Sequence, residues 1–471
     1  MNKSIRVTAL FSIILTIILL INLTVVQAFS VDKYADNPKN QRGFYDMQTI
    51  ARGHIFAGGT VLAQSTANED GIYSRSYPVD SPAWGPVTGY LSTQYGASQL
   101  EASQNNILNG TDDSLITNNF MDLITGEQPD GANVEVTIDP QLQQVAYDQL
   151  TQPGYEGAAV ALQPSTGKIL AMASSPSYNP NNIDDQWAQL QEQEGNPLLN
   201  HATQETLPPG SIFKIITTAA GLNNGYNPDS TLTGASEITL PGTNTQLTNY
   251  AGQVCGGSQQ VTLTTAFSLS CNTAFVEMGI DVGADELRSY AEGFGIGQES
   301  NIGVETAAGN IGEMPDDASV GQSSIGQRDV SMSALQAAGM AATVANGGVR
   351  MEPYLVNRIT DSTMNEIRTT SPKEASTAVD EDVANALTDL MYASERNTSG
   401  YNGNSYASKT GTAEHGDGLP PHVWYVAFDP DRDIAVGVVV KNGGNLGESA
   451  TGGQVSAPIG RAILDSYGGG Q

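Results

Sequence analysis

Residues 208–214 read Pro-Pro-Gly-Ser-Ile-Phe-Lys, and an Ala-ending run at 215–220 follows them directly. The prolines and the glycine stop just before Ser211, so the chain is predicted to enter a helix there. Helical residues three positions apart share a face, which would put the Ser211 hydroxyl beside the Lys214 amine. A desolvated lysine with a lowered pKa can take the proton of a hydroxyl and make it a nucleophile. Alone, the pattern is common, and a helix cap followed by a surface lysine explains it too.

A second segment offers groups for proton transfer and peptide binding. Ser270-Cys271-Asn272 follows an apolar stretch that is predicted to be helical. Ser270 supplies another hydroxyl, and the amide of Asn272 can bind a peptide through both a donor and an acceptor. We therefore expect this segment to lie beside the first one.

A third segment offers a cation on a strand. Lys409-Thr410-Gly411-Thr412 stands just before a predicted hairpin. The two-residue period of a strand puts Lys409 and Gly411 on one face. The lysine can bind a carboxylate, and the glycine leaves room for an extended ligand beside the strand. The occurrence of all three segments in one chain by chance is much less probable than the occurrence of any one of them.

The chain around these segments predicts a mixed fold. Alternation at 134–138 indicates a strand, and Asp139-Pro140 then begins a helix. Hairpins are predicted at 157–172 and 424–440, around turn-forming residues. Ala-rich helical stretches such as 334–345 lie between them. Strands at both ends with helices between them favour an α+β sheet assembled from distant parts of the chain.

The amino-terminal segment is apolar. After Lys3 and Arg6, residues 7–28 carry no charge and are rich in Leu, Ile and Val. About 20 such residues span a bilayer, whereas the apolar region of a signal peptide is usually about 7–15 residues long. The length favours an uncleaved anchor with the chain after about residue 30 outside the cytoplasm. A signal peptide cleaved after Ala28 is the alternative.

Charge excludes one class of partner. The 471 residues include 20 Lys and Arg against 50 Asp and Glu, for a formal net charge of -30. Such a surface repels phosphate backbones, so nucleic acid is excluded as a partner. The length predicts about two to three domains.

Two cysteines, Cys255 and Cys271, occur in the whole chain. In an exported protein they can form one disulfide, which would stabilise the fold by roughly 3 kcal/mol for a loop of this length. Two buried free thiols are the alternative. No CxxC or HExxH pattern occurs and the histidines are scattered, so no zinc site is expected.

The three motifs, in this order, are the signature of penicillin-binding proteins and class A β-lactamases. The chain resembles a class B penicillin-binding protein over nearly all of its length. Further stretches carry the resemblance: Arg-Gly-His-Ile-Phe at 52–56, Val-Thr-Gly-Tyr at 87–90, Ser-Ile-Gly-Gln at 324–327 and Ala-Asn-Gly-Gly at 345–348. One difference is Arg328, where the family commonly has a glycine.

The resemblance implies an α+β fold of the penicillin-binding transpeptidase and serine β-lactamase type. In that fold a five-stranded antiparallel sheet is flanked by helices, an all-helical part lies beside it, and the active site lies between them. Four parts are implied in chain order: a cytoplasmic tail (1–6), a transmembrane signal-anchor helix (7–28), a small strand-bearing module of pedestal or dimerisation type (29–132) and a transpeptidase domain (133–471).

The resemblance also implies a reaction. Ser211 would attack the penultimate D-Ala carbonyl of a peptidoglycan stem peptide, release the terminal D-Ala and pass the acyl group to the amine of a neighbouring stem. Lys214 would be the base for acylation, and Ser270 would carry the proton to the departing amine. Asn272 would hold the peptide. β-Lactams would acylate the same serine, and no metal or organic cofactor is expected.

The remaining roles are implied in the same way. Lys409 would hold the substrate carboxylate together with the hydroxyls of Thr410 and Thr412, beside Gly411. The N–H groups of Ser211 and Thr412 would form the oxyanion hole. Only about 100 residues separate the anchor from the catalytic part, which is short for a glycan-polymerising domain. A membrane glycosyltransferase of the SEDS type is therefore the expected partner.

Three alternatives share the motifs. A β-lactamase would need a deacylating carboxylate, and its usual Glu-containing loop motif is not found in the sequence. A D,D-carboxypeptidase would pass the acyl group to water, and the sequence separates it poorly from a transpeptidase. A non-catalytic β-lactam sensor would need a cytoplasmic signalling domain, for which residues 1–6 leave no room.

Overall fold

The computed structural model describes residues 3–29, 49–115, 130–416 and 418–469. Its helices are α1 (Lys3–Phe29), α2 (Gly85–Thr88), α3 (Gln99–Ser103), α4 (Asn105–Leu108), α5 (Pro140–Thr151), α6 (Ile183–Glu192), α7 (Lys214–Asn223), α8 (Leu263–Ser268), α9 (Asn272–Val282), α10 (Ala284–Gly293), α11 (Asp317–Ser323), α12 (Ala334–Ala345), α13 (Glu381–Asn397) and α14 (Gly452–Ser466).

The strands, also in chain order, are β1 (Ile55–Ala57), β2 (Thr60–Ala67), β3 (Tyr73–Ser76), β4 (Leu91–Ser92), β5 (Gly96–Ala97), β6 (Asn133–Val136), β7 (Gly157–Leu162), β8 (Ile169–Ser175), β9 (Thr231–Thr233), β10 (Glu237–Thr239), β11 (Gln246–Thr248), β12 (Gln260–Thr262), β13 (Val349–Met351), β14 (Val356–Thr360), β15 (Glu366–Thr369), β16 (Glu374–Thr377), β17 (Ala407–Ala413), β18 (His422–Asp429) and β19 (Ile434–Val440).

Helix α1 is long and apolar enough to cross a membrane. Its segment Lys3–Val26 has a mean hydropathy of 2.7, and its large apolar side chains are exposed. The predicted span 7–28 lies within this helix. Residues 30–48, where the predicted amino-terminal module begins, lie outside the described residues, as do 116–129 near its end.

The central sheet has five antiparallel strands in the order β17-β18-β19-β7-β8. Both predicted hairpins are confirmed: β7 pairs with β8, and β18 with β19. The edge strand β17 carries residues 409–412. Because β19 pairs with β7, two segments far apart in sequence form one sheet, as the α+β prediction requires.

Helices cover both faces of this sheet. Valines 436, 438 and 440 of β19 pack in one apolar cluster with α5 and α14, whereas Ala435 and Val439 pack in another with α12. Helix α12 approaches β19 closely at Gly437, where a Cβ would lie 2.4 Å from the backbone nitrogen of Ala338. Glycine is therefore needed there, and the predicted helix at 334–345 is confirmed with the same bounds.

A second sheet has the strand order β15-β14-β6-β1-β2-β3. Strand β6, predicted at 134–138 as the start of the catalytic part, pairs parallel with β1 and antiparallel with β14. Beneath it, the buried carboxylate of Glu101 accepts hydrogen bonds from Nε of Arg52 (2.8 Å) and Nε of Arg75 (2.6 Å). This sheet thus joins residues of the amino-terminal module to strands that follow α12.

Candidate active site

Ser211 lies on a 3-10 turn at the entrance to helix α7. The turn spans Gly210–Phe213, and the α-helix begins at Lys214. The helical entry at Ser211 was predicted, but the first turn is tighter than an α-helix. Side chains three positions apart eclipse one another in a 3-10 helix, so Ser211 and Lys214 still point to the same side.

The segment before Ser211 is fixed against strand β17 and the loop at residue 326. The Gly210 N–H donates to the Gly326 carbonyl (2.9 Å), and Trp424 Nε1 donates to the Pro208 carbonyl (2.8 Å). A Cβ on Gly411 would lie 2.6 Å from the Pro209 carbonyl oxygen, and one on Gly210, whose φ is +54°, 2.8 Å from the Thr412 carbonyl oxygen. The glycines therefore let Ser211 lie close to the strand.

Lys214 is fully buried and points at the second motif. Its Nζ donates to the carbonyl of Ser270 (2.7 Å) and to Oδ1 of Asn272 (2.8 Å), and it lies 3.3 Å from Oγ of Ser270. The ring of Phe275 lies 5.3 Å from this nitrogen. Among the described residues, the Ser211 hydroxyl has no hydrogen-bond partner. The amine of Lys214 is therefore held in place by Ser270 and Asn272, and not by Ser211.

Lys409, on strand β17, also contacts Ser270. Its buried Nζ donates to Oγ of Ser270 (2.9 Å) and to the Thr410 carbonyl (3.2 Å), and it lies 5.7 Å from the Phe267 ring. Ser270 has a φ of +61°, a left-handed conformation that is rare outside glycine. This backbone conformation aims the serine between the two lysines.

Burial changes the protonation of both amines. It lowers the pKa of Lys214 well below that of an ordinary lysine, and the charge of Lys409 lowers it further. Burial also lowers the pKa of Lys409 to about 7. The site can therefore hold one neutral amine as a base and one ammonium as a cation near neutral pH.

The other predicted binding residues are also present. Thr410 and Thr412 are partly exposed on β17, and their register partners on β18 are Tyr425 and Val423. Asn272 accepts from Lys214 and donates through Nδ2 to the Thr248 carbonyl (3.0 Å). In this state its amide is thus bonded within the protein, and its predicted contact with the substrate stays a prediction.

A disulfide joins Cys255 to Cys271, with 5.8 Å between the Cα atoms. It connects the 3-10 turn Cys255–Gly257 to the residue between Ser270 and Asn272. The sequence motifs do not include the aromatic rings of Phe267 and Phe275, although each residue lies three positions outside the Ser-Cys-Asn motif. That spacing next to a helix is the signal that could have found them.

Three further observations concern residues outside this cluster. Within the described ranges, no group of three or more His, Cys, Asp or Glu side chains is placed to hold a metal ion. A part-open cavity of about 40 Å³ lies between α12, the β7–β8 turn and β13, and none of the residues of the three motifs lines it. Arg328, which replaces the glycine common in the family, has a φ of +64°, a conformation that glycine adopts without strain.

Comparisons with known proteins agree with this geometry. A family model described as the penicillin binding protein transpeptidase domain matches residues 157–465, and one described as the penicillin binding protein A dimerisation domain matches 52–134. Peptidoglycan D,D-transpeptidase PbpA from Mycolicibacterium smegmatis is 44% identical and aligns over 98% of each chain. The protein of the same name from Mycobacterium tuberculosis is 43% identical over 99% of each chain.

Solved structures give the same result. The ceftriaxone acyl-enzyme complex of penicillin-binding protein A from M. tuberculosis matches with a TM-score of 0.85 and 44% identity, over 90% of this chain and 99% of that one. A D,D-transpeptidase domain from Eggerthella lenta matches with a TM-score of 0.76 at 27% identity, over 89% of this chain and 99% of that one. This chain therefore belongs to the penicillin-binding protein transpeptidase family.

Proposed function

We propose that this chain is a membrane-anchored peptidoglycan D,D-transpeptidase that works through an acyl-enzyme on Ser211. One observation carries the proposal: two buried lysines, Lys214 and Lys409, converge on Oγ of Ser270 at 3.3 and 2.9 Å, beside the turn that presents Ser211. The Ser211 hydroxyl, which has no partner among the described residues, a neutral amine and a buried cation are the parts that serine acyl transfer needs.

In the acylation step, Ser211 Oγ bonds to the penultimate D-Ala carbonyl carbon of a stem peptide. Neutral Lys214 takes the hydroxyl proton, and the peptide C–N bond then breaks. Ser270 lies between both lysines and passes a proton to the departing D-Ala amine. The N–H groups of Ser211 and Thr412 stabilise the oxyanion, a contribution whose loss typically costs about 10²–10³ in rate.

In the second step the amine of a neighbouring stem attacks the ester carbonyl and gives up a proton to Lys214, and the Ser211 oxygen leaves and takes that proton. The substrate's terminal carboxylate lies at Lys409, with the hydroxyls of Thr410 and Thr412, and Gly411 leaves space beside the strand. Asn272 binds the peptide by exchanging its present bonds to Lys214 and to the Thr248 carbonyl for bonds to the substrate. β-Lactams acylate Ser211 through the same contacts, because their ring amide replaces the peptide bond.

The relatives support this substrate class. The M. smegmatis and M. tuberculosis proteins are named peptidoglycan D,D-transpeptidases, and the M. tuberculosis protein has been solved as ceftriaxone, imipenem and penicillin G acyl-enzymes. Identity of 43–44% over nearly the whole chain favours the same reaction here.

We also propose the four-part division of the chain, with the catalytic domain at 133–471 on the outer side of the membrane. The matched range 157–465 falls inside that domain, and 52–134 covers much of the module at 29–132. Helix α1 would be the anchor. A membrane glycosyltransferase of the SEDS type would supply the glycan strands whose stems this chain cross-links.

Covalent labelling tests the nucleophile. The full chain in detergent should be labelled by a fluorescent penicillin, and Ser211→Ala should abolish the label while the chain remains folded. Ser371→Ala, at an exposed serine, is the matched control and should label like the wild type. A label that persists on Ser211→Ala would refute the assignment.

A product assay separates the transpeptidase from the carboxypeptidase. The chain is incubated with lipid-linked substrate and a membrane glycosyltransferase, and the stems are analysed by mass spectrometry. Cross-linked stems support the proposal. Stems that have only lost D-Ala would instead support the D,D-carboxypeptidase.

A further inference from the structure

The carboxylate of Glu395 lies buried at the end of helix α13 and accepts hydrogen bonds from four other parts of the chain. Its side chain is 1% exposed. Its donors are Ser408 Oγ (2.5 Å) and the Tyr425 hydroxyl (3.0 Å) at Oε2, and Arg461 Nε (2.8 Å) and Asn404 Nδ2 (3.1 Å) at Oε1. Strands β17 and β18, helix α14 and the loop before β17 therefore meet at one charged group.

This group lies on the face of the sheet opposite to the side chain of Lys409. Ser408 precedes Lys409, and adjacent strand residues point to opposite faces of the sheet. Tyr425 is the register partner of Thr410. The bond from Ser408 thus fixes the edge strand next to Lys409, and the bond from Tyr425 fixes the neighbouring strand opposite Thr410.

We propose that Glu395 is a positioning residue for Lys409. Through Ser408 and Tyr425 it holds the edge strand where the ammonium of Lys409 meets both Ser270 and the substrate carboxylate. This inference rests on the proposed function and adds to it the residue that holds its cation in place. A displacement of about 1 Å at such a group can cost roughly 10²-fold in rate.

The contacts as they stand suit a carboxylate, because all four neighbours donate to it and an ionised carboxylate only accepts. In Glu395→Gln the amide nitrogen can only donate, so the Ser408 and Tyr425 hydroxyls would have to turn and accept from it, and the charge that pairs with Arg461 would be lost. Among the described residues Glu395 is the only carboxylate that pairs with Arg461. Ser408→Ala is the milder variant, because it removes only the bond next to Lys409 and leaves Arg461 paired.

The test compares benzylpenicillin with its methyl ester. Second-order acylation rate constants are measured for the full chain in detergent by intact-protein mass spectrometry. The acid should react faster than the ester in the wild type, because only the acid offers a carboxylate to Lys409. In Ser408→Ala and Glu395→Gln the acid-to-ester ratio should fall by about tenfold or more. A smaller folded fraction cancels in this ratio, so loss of stability alone does not change it.

Asp389→Asn, at an exposed acid on the same helix, is the matched control and should keep the wild-type ratio. If both test variants keep that ratio, with or without a lower melting temperature, Glu395 only stabilises the fold and the inference is overturned. If Glu395→Gln does not fold, Ser408→Ala decides alone. A wild-type chain that neither compound acylates would instead overturn the proposed function, and this inference with it.

Discussion

The ammonium of Lys409 lies 2.9 Å from Oγ of Ser270, the same atom that the amine of Lys214 approaches to 3.3 Å from the helix side. Two amines around one hydroxyl in a buried site cannot both be charged without a large cost, because desolvation and repulsion act together. Lys214 carries both effects, whereas burial alone lowers the pKa of Lys409. These two lowered pKa values favour the neutral form at Lys214 and the cation at Lys409.

A pH profile of acylation should report both amines. The second-order rate constant for benzylpenicillin should rise as Lys214 loses its proton, well below the ordinary pKa of lysine, and fall near pH 7 as Lys409 loses its charge. In Lys409→Arg the falling limb should move to higher pH, because a guanidinium stays charged to above about pH 12. A falling limb at an unchanged pH in that variant would contradict the assignment.

Two variants of Ser270 should separate chemistry from backbone strain. Both Ser270→Ala and Ser270→Gly lose the shared hydroxyl, and each should slow acylation by about 10²-fold or more. Ser270 has a φ of +61°, which glycine adopts more easily than alanine. The free energy of unfolding should therefore be about 1 kcal/mol higher for the glycine variant than for the alanine variant. Denaturant titration measures the difference. Equal stability of the two variants would rule out strain at this position.

Local sequence patterns were sufficient for the parts of the fold that depend on near neighbours. The hairpin of β18 and β19 was predictable because an apolar strand pair surrounds a polar turn at 429–432. Helix α12 was predictable from its alanine-rich composition. Both depend on residues that lie close together in the chain, where periodicity is informative.

Other features depend on distant residues. Strand β14 pairs with β6 across more than 200 residues, and no local pattern selects that partner. The three motifs identified the cluster of Ser211, Lys214, Ser270 and Lys409. However, the hydrogen bond that Lys214 donates to Oδ1 of Asn272 follows from packing. The left-handed φ of Ser270 is likewise imposed by the surrounding fold, because serine has no preference for it.

The disulfide should stabilise the chain without being required for folding. Reduction, or Cys255→Ser with Cys271→Ser, should lower the free energy of unfolding by about 3 kcal/mol for a sequence separation of 16. The double variant should not respond to reductant, which makes it the control. Titration of the denatured, unreduced chain should find no free thiol. Two free thiols would exclude the bond.

The buried carboxylate of Glu101 should stabilise the amino-terminal sheet and leave the chemistry unchanged. Burial alone would raise its pKa, but the guanidinium groups of Arg75 and Arg52 lower it below the usual value for Glu. Its stabilisation is therefore complete above the unfolded-state pKa and is lost as the pH falls through the folded-state pKa.

Glu101→Gln leaves both arginines without their buried partner, which should cost about 3–5 kcal/mol in denaturant unfolding at neutral pH. Penicillin acylation per folded molecule should stay at the wild-type rate. Glu69→Gln, at an exposed glutamate, is the control, and equal unfolding curves for the two variants would show that the buried ion pairs do not stabilise the sheet.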